Sequence, residues 1–167
     1  MSKEGSNKIR FVGLKPGTYE YCFQLDNLFF EGFENDEIRG GNVRIDAKME
    51  KLENMLLLTF DLKGEVTTTC DRCMGEMSVE VDGSEHLSIR FSDNEQSDKE
   101  DEAVLPEGSE EIDLTQWLYE YVAVRIPMRH THSEGECDSE VTRYIDTCDK
   151  HADGYVDPRW EALKGLK

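Results

Sequence analysis

Apolar and polar residues alternate with a period of two through the first half of the chain and slightly beyond it. This pattern is typical of half-buried antiparallel strands, and it covers 18–26, 43–50 and 56–91. Two turns are expected within the last stretch, at Lys63-Gly64 and Asp82-Gly83, because glycine adopts positive φ without a Cβ clash. Tight turns join neighbouring antiparallel strands, so the pattern predicts a β-meander.

The period changes to that of a helix at Asp113. Asp113 and Gln116 have the spacing of a capping box, and Pro127 would end the helix because proline lacks an N–H. A second short helix is expected from Asp138 to Thr147, and a last one from Pro158 to about Lys164. The predicted fold class is therefore α+β. An antiparallel β-meander sheet, or a partly open barrel, is covered by C-terminal helices within a single domain spanning 1–167.

The chain is strongly acidic, with 37 acidic and 19 basic residues and a net charge of −18. The segment 93–111 holds nine acids against one lysine and predicts a solvated loop. Acidity extends well beyond that loop and opposes long-range attraction to a phosphate backbone, which favours protein partners or very local RNA contacts. No apolar stretch is long enough to span a membrane and no hydrophobic signal core follows the N-terminus, so a cytoplasmic location is predicted.

One short motif carries recognisable chemistry: Cys70-Asp71-Arg72-Cys73. Two thiolates separated by two residues can occupy adjacent corners of a zinc tetrahedron. Several later residues could complete the site: His130, His132, Cys137, Cys148 and His151. The preferred pair is His132 and Cys137, because the short glycine-containing loop between them can turn both side chains to one side. We therefore expect a structural zinc site of Cys70, Cys73, His132 and Cys137, joining the sheet to the segment after the first helix.

Two other interpretations of the cysteine pair remain open. Cys70 and Cys73 could be ordinary thiols beside a hairpin, or they could form a redox pair. Redox pairs of the thioredoxin type open a helix, whose N-terminus lowers the thiolate pKa, whereas strands are predicted on both sides of this motif. Among motifs for catalysis, GxSxG, the P-loop, HExxH and GxGxxG are all absent from the sequence. The sequence therefore predicts a binding protein without catalytic residues.

The order of the motifs along the chain resembles that of the YceD-like family. The cysteine motif Cys70-Asp71-Arg72-Cys73 is followed by an acidic loop and by Glu111-Ile112-Asp113-Leu114 at a helix start. The helix ends at Arg125-Ile126-Pro127, a cysteine-bearing loop follows, and Asp157-Pro158-Arg159 stands near the C-terminus. The resemblance covers roughly Val43 to the C-terminus. The later loop of the family often has two cysteines, and His132 stands here in place of one of them.

The resemblance implies a ribosome-biogenesis factor without enzymatic activity, which supports the accumulation or processing of large-subunit ribosomal RNA. Its partner would be the precursor of that RNA or a basic ribosomal protein, and no membrane or small-molecule substrate is expected. Direct RNA contact would use local basic groups, although each of them is also an ordinary solubilising charge: Lys8, Arg10, Arg125, Arg129 and Arg159. A thiol-redox protein using Cys70 and Cys73 is the alternative, and an adaptor with an empty cysteine site is a third.

Overall fold

The computed structural model describes residues 7–33, 37–93 and 102–152, apart from the side chains of residues 146 and 148–152. Its contacts divide the chain into two compact units. The first unit combines the chain up to Thr68 with Ser78–Met128, and the second combines Thr69–Met77 with the chain from Arg129 onward. The large sheet belongs mainly to the first unit, and the cysteine motif belongs to the second.

The described elements, in chain order, are β1 (Lys8–Arg10), β2 (Gly17–Leu25), α1 (Asn27–Glu31), β3 (Gly40–Lys51), β4 (Met55–Thr69), β5 (Glu76–Phe91), β6 (Glu102–Leu105), β7 (Glu111–Asp113), α2 (Thr115–Ala123) and α3 (Ser139–Ala152). Strands β2 to β6 form one five-stranded sheet in the order β2-β3-β4-β5-β6, and β1 pairs with β7 in a separate two-stranded sheet. The predicted α+β class is confirmed. The large sheet is open, so of the two predicted architectures the sheet is correct and the barrel is not.

The central strands are longer than the sequence predicted. Strands β4 and β5 run without interruption through Gly64 and Gly83, so both predicted turns are wrong. The alternation of inward-facing and outward-facing side chains continues through both glycines without a shift. In β4 the even-numbered residues are buried on both sides of Gly64, and in β5 Val81 and Leu87 are buried on either side of Gly83. A two-residue hairpin would have reversed this parity. The two residues that flank such a turn pair with each other, and their side chains point to the same face of the sheet.

Both glycines allow close approach of neighbouring groups. A Cβ atom on Gly64 would lie 2.6 Å from the Cα of Val43 and closer still to the carbonyl oxygen of Asn42 on β3. A Cβ atom on Gly83, whose φ is +152°, would lie 2.6 Å from Cζ of Arg125. Glycine inside a strand often marks such a contact. Both glycines were singled out from the sequence but assigned to turns. In the structure they allow close contacts inside continuous strands.

The acidic segment 93–111 is not a loop throughout. Its residues Glu102–Leu105 form β6, which pairs in parallel with β5 from Ser88↔Glu102 to Phe91↔Leu105. Glu102 forms an ion pair with Arg90, with 2.6 Å between Oε1 and Nε. This pairing neutralises one acid, and the sheet supplies partners for the strand backbone. The predicted loop is therefore wrong for β6, while residues 94–101 lie outside the described part of the chain.

Helix α2 packs on the sheet within the first unit. Its buried residues are Leu118, Tyr119 and Val122. The ring of Tyr119 stacks on Phe33 with 3.9 Å between centroids, and the ring of Tyr121 lies 5.3 Å from that of Phe60 on β4. Burial of this apolar stripe against the sheet stabilises the helix more than its intrinsic propensity does.

The predicted capping box at the start of α2 is wrong by one residue. The N-cap is Leu114, which makes no side-chain capping bond. Asp113 belongs instead to β7, where it pairs with Lys8 of β1, and its carboxylate accepts a hydrogen bond from the backbone N–H of Thr115 at 2.9 Å. Leu114 stands between the strand and the helix, so the Asp113 carboxylate bonds to the first helical residue, Thr115, from the position before the N-cap.

Of the two helices predicted after α2, the structure describes one. The helix expected from Asp138 to Thr147 is confirmed as α3, which is longer and reaches Ala152. The helix expected from Pro158 lies outside the described residues. Within the described ranges, each helix is too short or too polar to cross a membrane.

The close approach at Gly64 gives a test of the uninterrupted strand. We expect Gly64→Ala to lower the free energy of unfolding by roughly 2–3 kcal/mol, because its Cβ would meet the backbone of β3. Chemical denaturation measures the change. Lys63→Ala, at the neighbouring exposed position, should change stability by less than about 0.5 kcal/mol. Equal stabilities of the two variants would contradict the close approach.

Candidate metal centre

The connection from β4 to β5 is a tight turn that contains Cys70 and Cys73. The N–H of Met74 donates to the carbonyl of Cys70 at 2.9 Å, and the N–H of Cys70 donates to the carbonyl of Gly75 at 2.8 Å. Met74 has a φ of +58°, the left-handed region that a long side chain seldom adopts. Gly75 lies beside the sulfur, because a Cβ there would be in van der Waals contact with Sγ of Cys73 at 3.4 Å. The turn therefore directs both thiols to the same side.

Asp71 joins this turn to the segment that carries the other two candidate ligands. Its backbone N–H donates to the carbonyl of His130 at 2.9 Å, and its carboxylate accepts the N–H of His130 at 2.8 Å. The ring nitrogen Nε2 of His130 lies 3.9 Å from the same carboxylate. Two hydrogen bonds thus hold residue 130 against residue 71, which brings His132 to the turn two residues later.

The four side chains predicted as metal ligands form one cluster in the second unit. One ligand atom from each of Cys70, Cys73, His132 and Cys137 lies within 4.8 Å of the other three. Sγ of Cys70 lies 3.9 Å from Sγ of Cys137. Nδ1 of His132 lies 3.3 Å from Sγ of Cys73 and 3.9 Å from Sγ of Cys137. These atoms are close enough to bind a single metal ion.

The orientation of the His132 ring leaves the correct nitrogen available for a metal. Its Nε2 lies 3.0 Å from the backbone carbonyl oxygen of Glu76. A carbonyl can only accept a hydrogen bond, so Nε2 carries the proton and Nδ1 presents a lone pair to the sulfur atoms. Metal-ligating histidines commonly donate their second ring N–H to a carbonyl or carboxylate in this way.

Backbone N–H groups set the protonation of the thiols. Burial raises the pKa of Cys70, but N–H groups of Cys73, His132 and Arg72 outweigh it and lower the pKa to about 6. The pKa of Cys73 is lowered, chiefly by the N–H of Asp138 and then by that of Gly75. N–H groups stabilise these two thiols as thiolates, which is the form that binds metal.

The pKa values of Cys137 and His132 are raised, whereas those of Cys70 and Cys73 are lowered. Burial, together with hydrogen bonds to the thiols of Cys73 and Cys70, raises the pKa of Cys137 to about 11. The hydrogen bond to the Glu76 carbonyl is the largest cause that raises the pKa of His132. Three thiolates this close together, two of them buried, would repel one another, so a cation among them would allow all three to ionise together.

Two other described residues of these types, Cys22 and His86, do not belong to the cluster. Cys22 is exposed on β2. His86 is exposed on β5, where its Nδ1 lies 3.2 Å from Oγ1 of Thr59. The side chains of Cys148 and His151, both weighed as ligands from the sequence, lie outside the described part of the chain.

Three of the five basic residues proposed for RNA contact lie in ion pairs of the first unit. Nζ of Lys8 lies 3.6 Å from Asp113, Arg10 lies 3.0 Å from Glu110, and Arg125 pairs with Glu85 while donating to the carbonyl of Ser84 at 3.0 Å. Arg129 is exposed, and Arg159 lies outside the described residues. The pairing lowers the charge that these residues offer to a phosphate, and their role in RNA binding stays a prediction.

Sequence reasoning missed the groups that position the ligands. The carboxylate of Asp71 and the carbonyl of Glu76 were not singled out, although Asp71 lies inside the cysteine motif. A short acidic side chain between two cysteines was a weak signal for a residue that accepts backbone N–H groups. The carbonyl of Glu76 had no sequence signal, because every residue carries one.

Comparison with known proteins supports the order of motifs described above. The sequence model of one protein family, described as large ribosomal RNA subunit accumulation protein YceD, matches residues 58–167. This range covers most of the 167-residue chain and includes all four side chains of the cluster. Neither the curated proteins nor the solved structures contain a match. The chain therefore belongs to the YceD family.

Proposed function

We propose that this chain supports the accumulation of large-subunit ribosomal RNA as a non-enzymatic binding protein of the precursor particle. Membership of the YceD family, across residues 58–167, is the observation that carries the proposal. The net charge of −18 supports a cationic ribosomal protein as the direct partner, because complementary charge accelerates encounter. Ion pairing of Lys8, Arg10 and Arg125 further favours a protein over RNA.

We further propose that the four-residue cluster holds zinc in a structural role. With Zn–S bonds of about 2.3 Å and tetrahedral angles, two sulfurs are separated by about 3.8 Å and a sulfur and a nitrogen by about 3.6 Å. The corresponding distances of 3.9, 3.3 and 3.9 Å agree with this geometry. Three thiolates and an imidazole are donors that zinc accepts readily, and four protein ligands leave no open position for substrate. The closed donor set supports a non-catalytic role.

A thiol-redox protein remains the second candidate. The pKa of Cys70, lowered to about 6, is an observation that favours it, because low-pKa thiols react readily with disulfides. The same lowering prepares a thiolate for metal binding. The proximity of Cys137 and His132 to both motif cysteines is what favours zinc, since a redox pair needs neither of them.

Metal content distinguishes the two candidates. We expect the protein purified without chelator to carry one zinc ion per chain by elemental analysis, and Cys73→Ser to lose it because one of four ligands is removed. Cys22→Ser, at an exposed cysteine outside the cluster, is the matched control and should retain the metal. A metal-free protein in which Cys70 and Cys73 form a disulfide reversibly would support the redox candidate instead.

The contact between Asp71 and His130 predicts a contribution to metal affinity. We expect Asp71→Ala to weaken zinc binding by roughly 10-fold, because the His130 N–H loses its acceptor and His132 is less firmly positioned. Asp71→Asn keeps an oxygen acceptor and should stay close to the wild-type affinity. Competition with a chromophoric chelator measures both. Unchanged affinity in Asp71→Ala would show that Asp71 does not position the ligand.

The proposed role in ribosome assembly is tested by sedimentation. We expect tagged protein in cell lysates to sediment with precursors of the large subunit, and depletion of the protein to lower large-subunit ribosomal RNA relative to small-subunit RNA. A tagged, unrelated protein of similar size and negative charge is the control for non-specific association. Absence of the chain from every precursor fraction, with unchanged ribosomal RNA ratios, would refute the role.

A further inference from the structure

Strand β2 presents a long edge of the large sheet. The strand order places it outermost, and its nine residues pair with β3 in unbroken register, from Gly17↔Lys51 to Leu25↔Val43. Among the described residues, no backbone hydrogen bond reaches the outer side of this strand. Alternate N–H and C=O groups along an edge strand point away from its neighbour, so β2 offers a row of donors and acceptors to an added strand.

Among the described residues, β2 has few of the features that commonly protect an edge strand. It contains no proline, its pairing with β3 shows no bulge, and Glu20 is its one charged residue. Natural sheets commonly shorten or interrupt such edges to prevent association with other chains. The opposite edge follows that rule, because β6 has four residues. The described residues thus leave a regular nine-residue edge unpaired on its outer side.

The side chains of β2 indicate which part of the edge has room. Phe23 and Leu25 are buried, whereas Tyr19 and Tyr21, on the same side of the strand, are only half-buried. The apolar layer is thus incomplete beside the first half of β2. Alternate side chains of an added strand would cover the two tyrosine rings, because diagonal cross-strand neighbours of aromatic residues are within contact distance.

The charges of the chain indicate what kind of segment could pair with the edge of β2. The stretch 17–33 contains the exposed acids Glu20, Asp26 and Glu31 and no basic residue. On the neighbouring strand β3, Arg44, Lys48 and Lys51 lie opposite residues of β2, and Arg44 forms an ion pair with Asp46. The chain as a whole carries −18. This field attracts a cationic segment and repels both RNA and a second copy of the same chain. A polypeptide backbone, unlike RNA, also matches the spacing of donors and acceptors along the edge.

We propose that β2 is a docking edge, on which an extended basic segment of a partner protein adds as a sixth strand of the sheet. The proposal rests on the proposed function, because a cationic ribosomal protein is the partner considered there. It adds the place of contact and the conformation of the bound segment. The main-chain hydrogen bonds of the added strand provide affinity, and its alternate side chains contact Tyr19 and Tyr21.

Amide hydrogen exchange of the full chain, measured by nuclear magnetic resonance, tests the edge. The probe is a synthetic peptide of about ten residues in which lysine and threonine alternate, a length and pattern suited to one strand. At saturating peptide we expect the outward amides of β2 to exchange about 10-fold more slowly, because they become hydrogen-bonded. The amides of β6 should not change.

Three controls make the outcome decisive. A lysine–proline peptide of equal charge cannot pair as a strand, because proline lacks the N–H, and should give no protection. Protection by that peptide, or by a uridine oligonucleotide, would overturn the proposal, and so would a dimer protected along β2 in the absence of peptide. Absence of protection by the lysine–threonine peptide would overturn it as well. A chain that still sediments with large-subunit precursors in that case would keep the proposed function and lose only the docking edge.

Discussion

Unbroken alternation of buried and exposed side chains along β3, β4 and β5 is the constraint on which the sheet depends. A strand that buries one face has a side-chain period of two, and a shift of one residue would move its apolar set into solvent. This parity holds from Leu56 through Val66 in β4 and from Val79 through Ile89 in β5. The glycines within both strands keep it, since they admit close neighbours and do not turn the chain.

The candidate metal cluster and the distribution of charge are two separate features of this protein, each formed by its own residues. In the second unit, backbone N–H groups surround the buried Cys70 and Cys73 and the carbonyl of Glu76 orients His132. In the first unit, acids pair with the bases Lys8, Arg10 and Arg125 and leave the chain with a net negative field. The cysteine–histidine cluster and the negative field are thus formed by different residues in different units of the chain.

Particular residues show where sequence reasoning succeeded and failed. Cys70, Cys73, His132 and Cys137 were predicted from donor type and from the short loop between the last two, and they lie together. The turns at Gly64 and Gly83 were predicted from glycine alone, although the apolar residues on either side keep one parity and exclude a two-residue hairpin. The capping box at Asp113 failed because the helix begins one residue later, with Leu114 as its N-cap. Strand β6 lies within an acidic run of the sequence, and Arg90 compensates the charge of Glu102 there.

The sequence by itself determined the α+β class, the inward faces of the strands and the donor atoms of the metal centre, because periodicity and side-chain chemistry are local properties. Tertiary structure alone decided that β5 and β6 pair in parallel, that Asp71 holds His130, and that Nδ1 of His132 is the nitrogen facing the sulfurs. It also decided that β2 forms the edge of the sheet. Each of these depends on backbone groups that every residue carries or on partners distant in sequence, so only the folded chain determines which groups meet.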